Sequence, residues 1–366
     1  MLMVAIIYVL TGVCLLSYSY FIYKLCKGWT LLKNKQVSTM SLHQPTCGVI
    51  IACHNEVENL PTLLTSLDQQ SKIADEIIII DDHSTDHTLK LLQSWANNRS
   101  HVHILSATER GKKAALRQGI HHSKSELILC TDADCHCPPQ WVERVVNEYA
   151  NNSFDLLVLP VTMREESKLI AQVTRLEFIS LVSSGMALAA LGHPIMCNGA
   201  NLAFRRTTWL ERENQLHQEL LSGDDVFLLH AIKEQGGVIR VLNDSQVLVT
   251  TAPTPTLSAF MRQRIRWGSK SMAYKDKESL WTAGLIFGIS CVQVLLYCTI
   301  PFSALCTLCT ILLLGWKWMI DSYFLAQTRH TFHMHNLLFN SVILSIFYPF
   351  YIVIAALLGC FKHSKW

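Results

Sequence analysis

Long uncharged stretches lie at both ends of the chain, whereas its middle alternates short apolar runs with polar segments. Residues 1–23 carry no charge, and about 20 apolar residues are enough to cross a bilayer as a helix. Three more apolar segments lie at 280–302, 303–320 and 337–359. We therefore predict one amino-terminal and three carboxy-terminal membrane helices. The second of these three is short, so a re-entrant segment is the alternative there, and Pro301 is predicted to mark the hairpin before it.

The segment at 45–250 has the pattern of an α/β domain. Apolar, β-branched runs at 47–53, 76–82, 102–107 and 126–134 predict strands that are buried on both faces, as in a parallel sheet. Polar segments with leucines at helical spacing separate these runs. The alternation predicts a doubly wound, mostly parallel sheet, which binds its ligands at the carboxyl ends of the strands.

Composition and charge place these segments relative to a membrane. Half of the residues are hydrophobic, and only 16% are charged. This charged fraction is lower than that of an ordinary soluble protein. A cleaved signal peptide would need a basic start and a small-residue cleavage site, and neither is present. The first apolar stretch is followed by Lys24, Lys27, Lys33 and Lys35. The positive-inside rule therefore predicts that the chain is cytoplasmic after this stretch.

Four regions follow from these patterns. We predict a transmembrane helix at 1–23, a cytoplasmic linker at 24–44, a cytoplasmic α/β domain at 45–275 and a membrane region of about three helices at 280–360. The apolar segment at 168–199 is long enough for a spanning helix, which is the alternative there. Because it contains Arg175 and Glu177, we expect a helix that lies in the membrane interface.

Acidic residues gather where two predicted strands end. Asp81 and Asp82 are adjacent, and helix capping by the polar residues after them does not explain two neighbouring carboxylates. Asp132 and Asp134 flank one residue, and in an extended backbone such residues project to the same face. Oxygen ligands of this kind suit Mg²⁺ or Mn²⁺, which is commonly held by one or two carboxylates together with substrate phosphates.

A third acidic pair, Asp224 and Asp225, precedes a predicted helix. Asp224 is alternatively only the N-cap of that helix. A carboxylate beside a metal–phosphate site can act as a general base on an acceptor hydroxyl, and we favour Asp225 for this role.

Other classes of site fit the sequence poorly. A dinucleotide-binding domain would need G-x-G-x-x-G after the first strand, where this chain has ACHNEVEN. Cys135-His136-Cys137 lacks a second ligand pair at the spacing of a zinc finger. The net charge of +3 gives no indication of a nucleic-acid-binding face.

Seven short motifs occur in a fixed order between residues 45 and 275: VIIACHNEVENLP, IIIIDDHSTDHT, ERGKKAALRQG, TDADC, MCNGANLAFRR, GDDVFLL and QRIRW. With these motifs the chain resembles the membrane-bound glycosyltransferases of family 2, which have the GT-A fold. Relatives of this type include the synthases of cellulose, chitin and hyaluronan, and ceramide glucosyltransferase.

The resemblance implies roles for individual residues. Substrate would be bound by Asn55, Glu56, Asp81, Asp82, Lys112, Asp132, Asn198, Gly199 and Asp224. Asp132 and Asp134 would hold the divalent cation on the diphosphate, and Asp225 would deprotonate the acceptor. The NGAN segment, 198–201, would line the acceptor pocket or the donor-sugar pocket. His83 stands where the family usually has glycine, so we expect that turn to differ.

The last motif, QRIRW, combines positive charge with an indole. Gln263, Arg266 and Trp267 match the Q-x-x-R-W pattern of the family and share one face if the segment is helical. An arginine can bond a phosphate through two donors, and a tryptophan offers a flat surface to a sugar ring. These three residues are expected to assist catalysis. The flanking basic residues, Arg262, Lys270 and Lys275, suit a patch that binds anionic headgroups.

The resemblance implies a metal-dependent, inverting transfer of a sugar from a nucleotide sugar to a lipid, lipid-linked or glycan acceptor, at the cytoplasmic face of the cell inner membrane. The alternative is a processive polysaccharide synthase, for which three carboxy-terminal spans are few unless a partner subunit completes a channel. A non-catalytic membrane scaffold is the third hypothesis. Such a scaffold would normally have lost acidic positions that this chain retains.

Overall fold

The chain folds into two compact units. The computed structural model describes residues 2–33, 44–217, 220, 223–300 and 304–361. One unit, here called the sheet unit, comprises 31–164 and 189–252. The other, here called the helical unit, comprises 1–30, 165–188 and 253–366. Pro301, the predicted hairpin residue, and residues 34–43 of the predicted linker at 24–44 lie outside the described residues. Residues 24–33 of that linker are helical and continue the first apolar helix, so the predicted helix end at 23 is wrong.

The strands and helices are numbered in chain order. The strands are β1 Cys47–Cys53, β2 Glu76–Asp81, β3 Val102–Ser106, β4 Leu127–Thr131, β5 Leu156–Val158, β6 Val161–Met163, β7 Asn201–Arg205, β8 Ile239–Val241 and β9 Val249–Thr251. The helices are α1 Leu2–Lys33, α2 Leu60–Asp68, α3 Thr88–Ala96, α4 Lys112–His122, α5 Trp141–Asn151, α6 Leu169–Ala190, α7 Arg206–Arg212, α8 Asp224–Glu234, α9 Leu257–Lys270, α10 Lys277–Thr299, α11 Ala304–Phe332 and α12 Leu337–Phe361.

The sheet unit is built on a mostly parallel sheet. Its strand order is β3-β2-β1-β4-β7-β5-β8, and β6 pairs separately with β9. The neighbours β1, β2, β3 and β4 pair in parallel, as do β5 and β8, whereas β7 runs antiparallel to both β4 and β5. The prediction of an α/β fold with a mostly parallel sheet is confirmed.

The core of this sheet follows from its apolar strands and one close helix contact. The isoleucines Ile50, Ile78 and Ile80 are fully buried in β1 and β2, as the continuous apolar runs predicted. A Cβ atom on Gly119 of α4 would lie 2.6 Å from Ile80 Cδ1 and 2.8 Å from Ile50 Cγ2. Glycine therefore lets α4, the helix that begins at Lys112, approach the sheet closely.

The end of β4 differs from the prediction in a way that matters for the acidic residues. The predicted strand runs to 134, but β4 ends at Thr131. Asp132 and Asp134 lie in the turn that follows, where the Cys135 amide donates to the Asp132 carbonyl oxygen at 3.1 Å. The two carboxylates are therefore brought together by a turn, and the prediction of an extended backbone at these residues is wrong.

The helical unit contains the apolar helices. Among the described residues, α1 from Tyr8 onward, α6, α10, α11 and α12 are long and apolar enough to cross a membrane. These helices indicate a membrane protein. The helix α6 was predicted to lie in the interface; it is mostly buried inside the protein, and a Cβ on Gly28 of α1 would lie 2.0 Å from the Ala187 carbonyl oxygen. Its position relative to a bilayer stays a prediction.

Hydropathy underestimated the length of α11. The predicted segment at 303–320 is short, whereas α11 has 29 residues. Lys317 and Asp321 interrupt the apolar pattern but form an ion pair one helical turn apart, and Asp321 also accepts a hydrogen bond from Tyr18 at 2.7 Å. Because these charges are partnered, the helix continues through them. The prediction of a short segment at this position is therefore wrong.

Candidate active site

The two aspartates at the end of β2 are buried and held by backbone groups. The Gly111 amide donates to Asp82 Oδ2 at 2.9 Å, and the Ser84 amide donates to Asp81 Oδ2 at 3.3 Å. The other oxygen of Asp81, Oδ1, is buried and accepts no hydrogen bond from the described residues. A buried carboxylate oxygen without a partner is costly, so this atom is suited to accept a hydrogen bond from a ligand.

The turn after these aspartates takes an unusual conformation. His83 has φ +55°, the left-handed region that favours glycine, and its Nδ1 lies 3.1 Å from Asp82 Oδ1. His83 therefore occupies a conformation that a glycine would adopt without a steric cost. Gly111, with φ +110°, supplies the amide that reaches Asp82.

Asn55 connects the loop after β1 to the loop after β2. Its backbone amide donates to Ser84 Oγ at 2.9 Å, and its side-chain oxygen accepts from the Thr85 amide at 2.8 Å. The structure thus places Asn55 in contact with the loop that follows the aspartate pair. Its amide oxygen is already used in holding the two loops together.

Lys112 links the carboxylates after β4 to those at the start of α8. Its Nζ donates to Asp132 Oδ1 at 2.5 Å, and both side chains are partly exposed. Burial lowers the pKa of Lys112, but Asp132, Asp224 and Asp225 together raise this pKa by more, so the net shift is upward. All three carboxylates therefore act on one ammonium group, and the structure brings these predicted site residues together.

Asp134 and Glu56 share the electrostatic environment of Asp132. Thr251 Oγ1 donates to Asp134 Oδ2 at 3.0 Å. Burial raises the pKa of Asp134, and the neighbouring Asp132 carboxylate raises it further. Burial also raises the pKa of Glu56; a hydrogen bond from Asn59 opposes this shift, and Asp134 and Asp132 add to it. Carboxylates from the ends of β1 and β4 are therefore close enough to repel one another.

The burial of Asp134 and its repulsion by Asp132 predict that this carboxylate lowers the stability of the fold. Because the pKa of Asp134 is raised in the folded state, its ionised form destabilises the fold at neutral pH. We expect Asp134→Asn to raise the melting temperature of protein treated with EDTA at pH 7.5. The gain should shrink as the pH falls through the raised pKa, because wild-type Asp134 is then protonated. Thermal unfolding between pH 4 and 8 measures this, and a gain that grows on acidification would contradict it.

Asp225 is oriented by backbone amides at the start of α8. Gly199 donates its amide to Asp225 Oδ2 at 3.0 Å, and Val226 donates to Oδ1 at 2.8 Å. The N-cap of α8 is Gly223, with φ +102°, so Asp224 is the first helical residue and not the N-cap. The alternative prediction, that Asp224 is only the N-cap of this helix, is therefore wrong. Both aspartates line one cavity together with Gly199.

The NGAN segment divides between this site and the core. Asn198 Oδ1 accepts from the Ala200 amide at 3.0 Å and shapes the turn that presents Gly199. Asn201 is fully buried; its Oδ1 accepts from Trp141 Nε1 at 2.8 Å, and its Nδ2 donates to the Pro160 carbonyl at 2.7 Å. The prediction that all of 198–201 lines a substrate pocket is wrong for Asn201, because its hydrogen bonds are made inside the core.

Two groups that hold the acidic residues were missed from the sequence. The amide of Gly111 bonds Asp82, and a glycine immediately before Lys112 was the available signal. The hydroxyl of Thr251 bonds Asp134 from β9, which lies 117 residues further along the chain. No motif surrounds Thr251, so the sequence pattern carries no signal for this contact.

The last of the seven motifs, QRIRW, lies in the helical unit. Gln263, Arg266 and Trp267 lie on α9 and are half-buried, whereas Arg262 on the same helix is exposed. The Arg264 guanidinium lies 4.3 Å from the ring centroid of Trp267. It therefore covers one face of the indole, and the predicted stacking on a sugar is restricted to the other face.

The Cys135-His136-Cys137 segment is divided between the core and the surface. Cys135 and Cys137 are buried and His136 is exposed. Burial raises the pKa of the Cys137 thiol to about 12, which keeps it protonated. Among the described residues, no group of three or more histidine, cysteine or acidic side chains is arranged to hold a metal ion without further ligands.

The chain is similar in sequence to known glycosyltransferases. Residues 48–212 match the family model described as "Glycosyl transferase family 2". Over 152 residues the chain is 26% identical to a poly-beta-1,6-N-acetyl-D-glucosamine synthase of Staphylococcus epidermidis, covering 41% of this chain and 37% of that protein. Over 135 residues it is 33% identical to an undecaprenyl-phosphate 4-deoxy-4-formamido-L-arabinose transferase of Yersinia pestis, covering 35% and 41%. The matches thus span about two fifths of the curated relatives.

A solved structure resembles the chain over nearly its whole length. It is a mannosyltransferase, PcManGT, from Pyrobaculum calidifontis, in complex with GDP-Man and Mn²⁺. The alignment covers 99% of both chains with a TM-score of 0.65 at 17% sequence identity. At this identity the similarity shows the fold alone. The fold is therefore of the GT-A type, with apolar helices at both ends.

Proposed function

We propose that the protein transfers a sugar from a nucleotide-sugar donor to a hydroxyl of a lipid, lipid-linked or glycan acceptor, because residues 48–212 match the glycosyl transferase family 2 model. The reaction would invert the anomeric configuration at the cytoplasmic face of the cell inner membrane. One observation carries the proposal: carboxylates from the ends of β1, β2 and β4 and from the start of α8 gather at the carboxyl edge of one parallel sheet.

The nucleoside would bind at the aspartate pair. Asp81 Oδ1 is buried without a partner among the described residues, so it can accept hydrogen bonds from donors on a base or ribose. Asp82 is held in place by Gly111, and Asn55 holds the loop beside it. Lys112 would place a positive charge next to the diphosphate.

A divalent cation fits the residues after β4. Asp132 and Asp134 lie close enough for one carboxylate to raise the pKa of the other, and a shared cation would remove this repulsion. Two carboxylates with no third ligand among the described residues suit an ion that is also coordinated by substrate phosphates. When bound, Mg²⁺ or Mn²⁺ would neutralise charge on the diphosphate. The Mn²⁺ in the related mannosyltransferase structure supports this assignment.

Asp225 is the proposed general base. Its two oxygens are fixed by the amides of Gly199 and Val226, and each oxygen keeps a further lone pair. The acceptor hydroxyl would give its proton to Asp225 while its oxygen forms a bond to the anomeric carbon. The bond from that carbon to the diphosphate oxygen breaks, and its electron pair leaves with the nucleoside diphosphate. Attack opposite the leaving group gives inversion.

We also propose three residues of the QRIRW motif as catalytic residues: Gln263, Arg266 and Trp267. Their motif resembles that of the family, and the guanidinium of Arg266 would stabilise the negative charge that develops on the leaving diphosphate.

The acceptor separates two versions of this function. The Staphylococcus relative is named a polysaccharide synthase, which favours processive elongation, and the Yersinia relative is named for undecaprenyl phosphate, which favours a lipid-linked acceptor. We favour the lipid or lipid-linked acceptor because the described residues include long apolar helices, as expected of a protein that meets its acceptor at a membrane. Gel analysis of radiolabelled product decides this, since a long ladder from one acceptor would support the polymerase.

The activity itself is tested by release of nucleoside diphosphate. Purified protein in lipid nanodiscs is incubated with a panel of nucleotide sugars and with membrane lipid extract. We expect release from one donor class that depends on Mg²⁺ or Mn²⁺ and stops with EDTA. If no donor in the panel gives release above that of an Asp225→Asn variant, the protein lacks this activity and the scaffold hypothesis gains support.

A further inference from the structure

Arg264, the second arginine of the MRQRIRW segment, has no role in the reaction steps proposed above. It is the arginine of this helix that is buried, whereas Arg262 is exposed and Arg266 is half-buried. We infer that Arg264, held by Glu177 of α6, is a positioning residue that fixes the side chains of Gln263 and Trp267 for the transfer reaction. This inference rests on the proposed function, and it adds Arg264 and Glu177 to the residues on which catalysis depends.

Arg264 and Glu177 form a buried ion pair between α9 and α6. Arg264 Nε donates to Glu177 Oε1 at 3.0 Å, and Nη2 donates to Oε2, which makes the contact bidentate. The Glu177 carboxylate also accepts from the Tyr351 hydroxyl of α12 at 2.8 Å. The two side chains are only 6% and 4% exposed, so water cannot replace these bonds.

A buried ion pair of this kind adds little to the free energy of unfolding. Removing two charges from water costs about as much as their attraction returns, and apolar residues of similar size often serve as well. A buried, bidentate pair does fix geometry, because the planar guanidinium has one orientation that satisfies both carboxylate oxygens. The pair is therefore better suited to orienting α9 side chains than to stabilising the unit.

The fixed guanidinium lies between two aromatic rings. Its central carbon is 4.3 Å from the ring centroid of Trp267 and 4.6 Å from that of Phe260. Cation–π contacts of this kind restrain the indole, and Phe178 of α6 contacts the same indole with ring centroids 6.2 Å apart. Trp267 is thus held in one orientation by the ion pair and by α6.

The same guanidinium decides which way the Gln263 amide points. Arg264 Nη1 donates to Gln263 Oε1 at 2.7 Å. Because a guanidinium can only donate, the atom that faces it must be the amide oxygen. The amide nitrogen Nε2 therefore points away from Arg264, and it makes no hydrogen bond to the described residues. Gln263 is accordingly assigned as a donor to an oxygen atom of the substrates, on the diphosphate or on a sugar.

The Arg264→Lys variant tests whether catalysis needs the bonding geometry of the guanidinium or only its positive charge. Arg264→Lys keeps the charge and can pair with Glu177, but an ammonium cannot bond Glu177 twice, bond Gln263 and stack on Trp267 together. We expect kcat for donor turnover to fall about 10- to 100-fold, the loss that a shift of about 1 Å in a catalytic group produces. The melting temperature should stay within a few degrees of wild type. Arg262→Lys, two residues earlier and exposed, is the matched control and should change neither quantity.

Two further variants keep the test independent of folding. Gln263→Glu still accepts from Arg264 but cannot donate, so it should lose as much kcat as Gln263→Ala at an unchanged melting temperature. Glu177→Met with Arg264→Met replaces the pair by apolar groups and should recover stability relative to Arg264→Met alone, without recovering kcat. The KM for donor and for acceptor in Gln263→Glu shows which substrate oxygen the amide contacts.

The outcomes separate this inference from the proposed function. A wild-type protein that releases nucleoside diphosphate, with kcat lowered in Arg264→Lys and Gln263→Glu but not in Arg262→Lys, supports positioning. If Arg264→Lys keeps full kcat, or if the apolar double variant regains kcat along with stability, the ion pair is only structural and the inference is overturned. A wild-type protein that releases no diphosphate from any donor overturns the proposed function and, with it, this inference.

Discussion

Asp225→Asn is expected to abolish sugar transfer while nucleotide binding stays intact. Asparagine is nearly the same size and its oxygen can still accept from the Gly199 amide, so the turn that holds Gly199 should persist. The amide cannot take a proton from the acceptor hydroxyl. General base catalysis contributes about 10²–10⁴-fold, and we expect kcat to fall by that factor.

The measurement pairs turnover with affinity for the nucleoside diphosphate by calorimetry. Glu234→Gln, an exposed residue at the other end of the same helix α8, is the matched control and should keep wild-type turnover. If Asp225→Asn loses nucleotide affinity in proportion to its turnover, Asp225 binds the donor and the base must be sought elsewhere.

Asp134→Ala should weaken cation-dependent donor binding strongly. The carboxylate is proposed to hold the cation on the diphosphate, and one ion pair near a protein surface is worth several kcal/mol. We expect the donor Kd in the presence of Mn²⁺ to rise about 100-fold, while the weaker Kd measured in EDTA changes little. Calorimetry with and without Mn²⁺ gives both values.

Thr251→Val provides the graded control for this effect. It removes only the hydroxyl that donates to Asp134 Oδ2, and one such hydrogen bond is worth about 0.5–1.5 kcal/mol. The Kd should therefore rise about 2- to 10-fold, well below the loss in Asp134→Ala. An equal loss of affinity in EDTA and in Mn²⁺ would mean that Asp134 supports the fold of the site and does not bind the cation.

The central strands could be predicted because the burial of a strand is reflected in the residues of that strand alone. A strand covered on both faces must be apolar at every position, and β1 and β2 are continuous runs of this kind. The carboxyl ends of parallel neighbours meet at one edge of the sheet, so the sequence alone was enough to place Asp82 and Asp132 at the same edge. The antiparallel strand β7 carries no such local signal, because its direction depends on its neighbours.

The features that were missed depend on contacts between distant residues. Asn201 looked like part of a substrate pocket, but its partners Trp141 and Pro160 lie 60 and 41 residues away and draw it into the core. The predicted membrane segment at 303–320 contains Lys317 and stops just before Asp321, but Asp321 pairs with Lys317 within the helix, which continues.

Arg264 shows the same difficulty within the motif that was recognised. As a sequence, QRIRW offers three polar residues of similar appeal, and spacing alone cannot tell which arginine is buried. Glu177, the residue that decides this, lies 87 positions earlier in an apolar helix. A glutamate in such a helix signals a buried partner but does not identify that partner.

A crystal structure of the protein with nucleoside diphosphate and Mn²⁺ would show whether the acidic residues form one site, because anomalous scattering locates the manganese independently of the protein atoms. We predict one manganese between Asp132 and Asp134 that also contacts the diphosphate, with the nucleoside at Asp81 and Asp82 and Asp225 on the sugar side of the same cavity. Manganese away from both carboxylates, or a nucleotide bound in a cavity that Asp81 and Asp225 do not share, would contradict the proposed site.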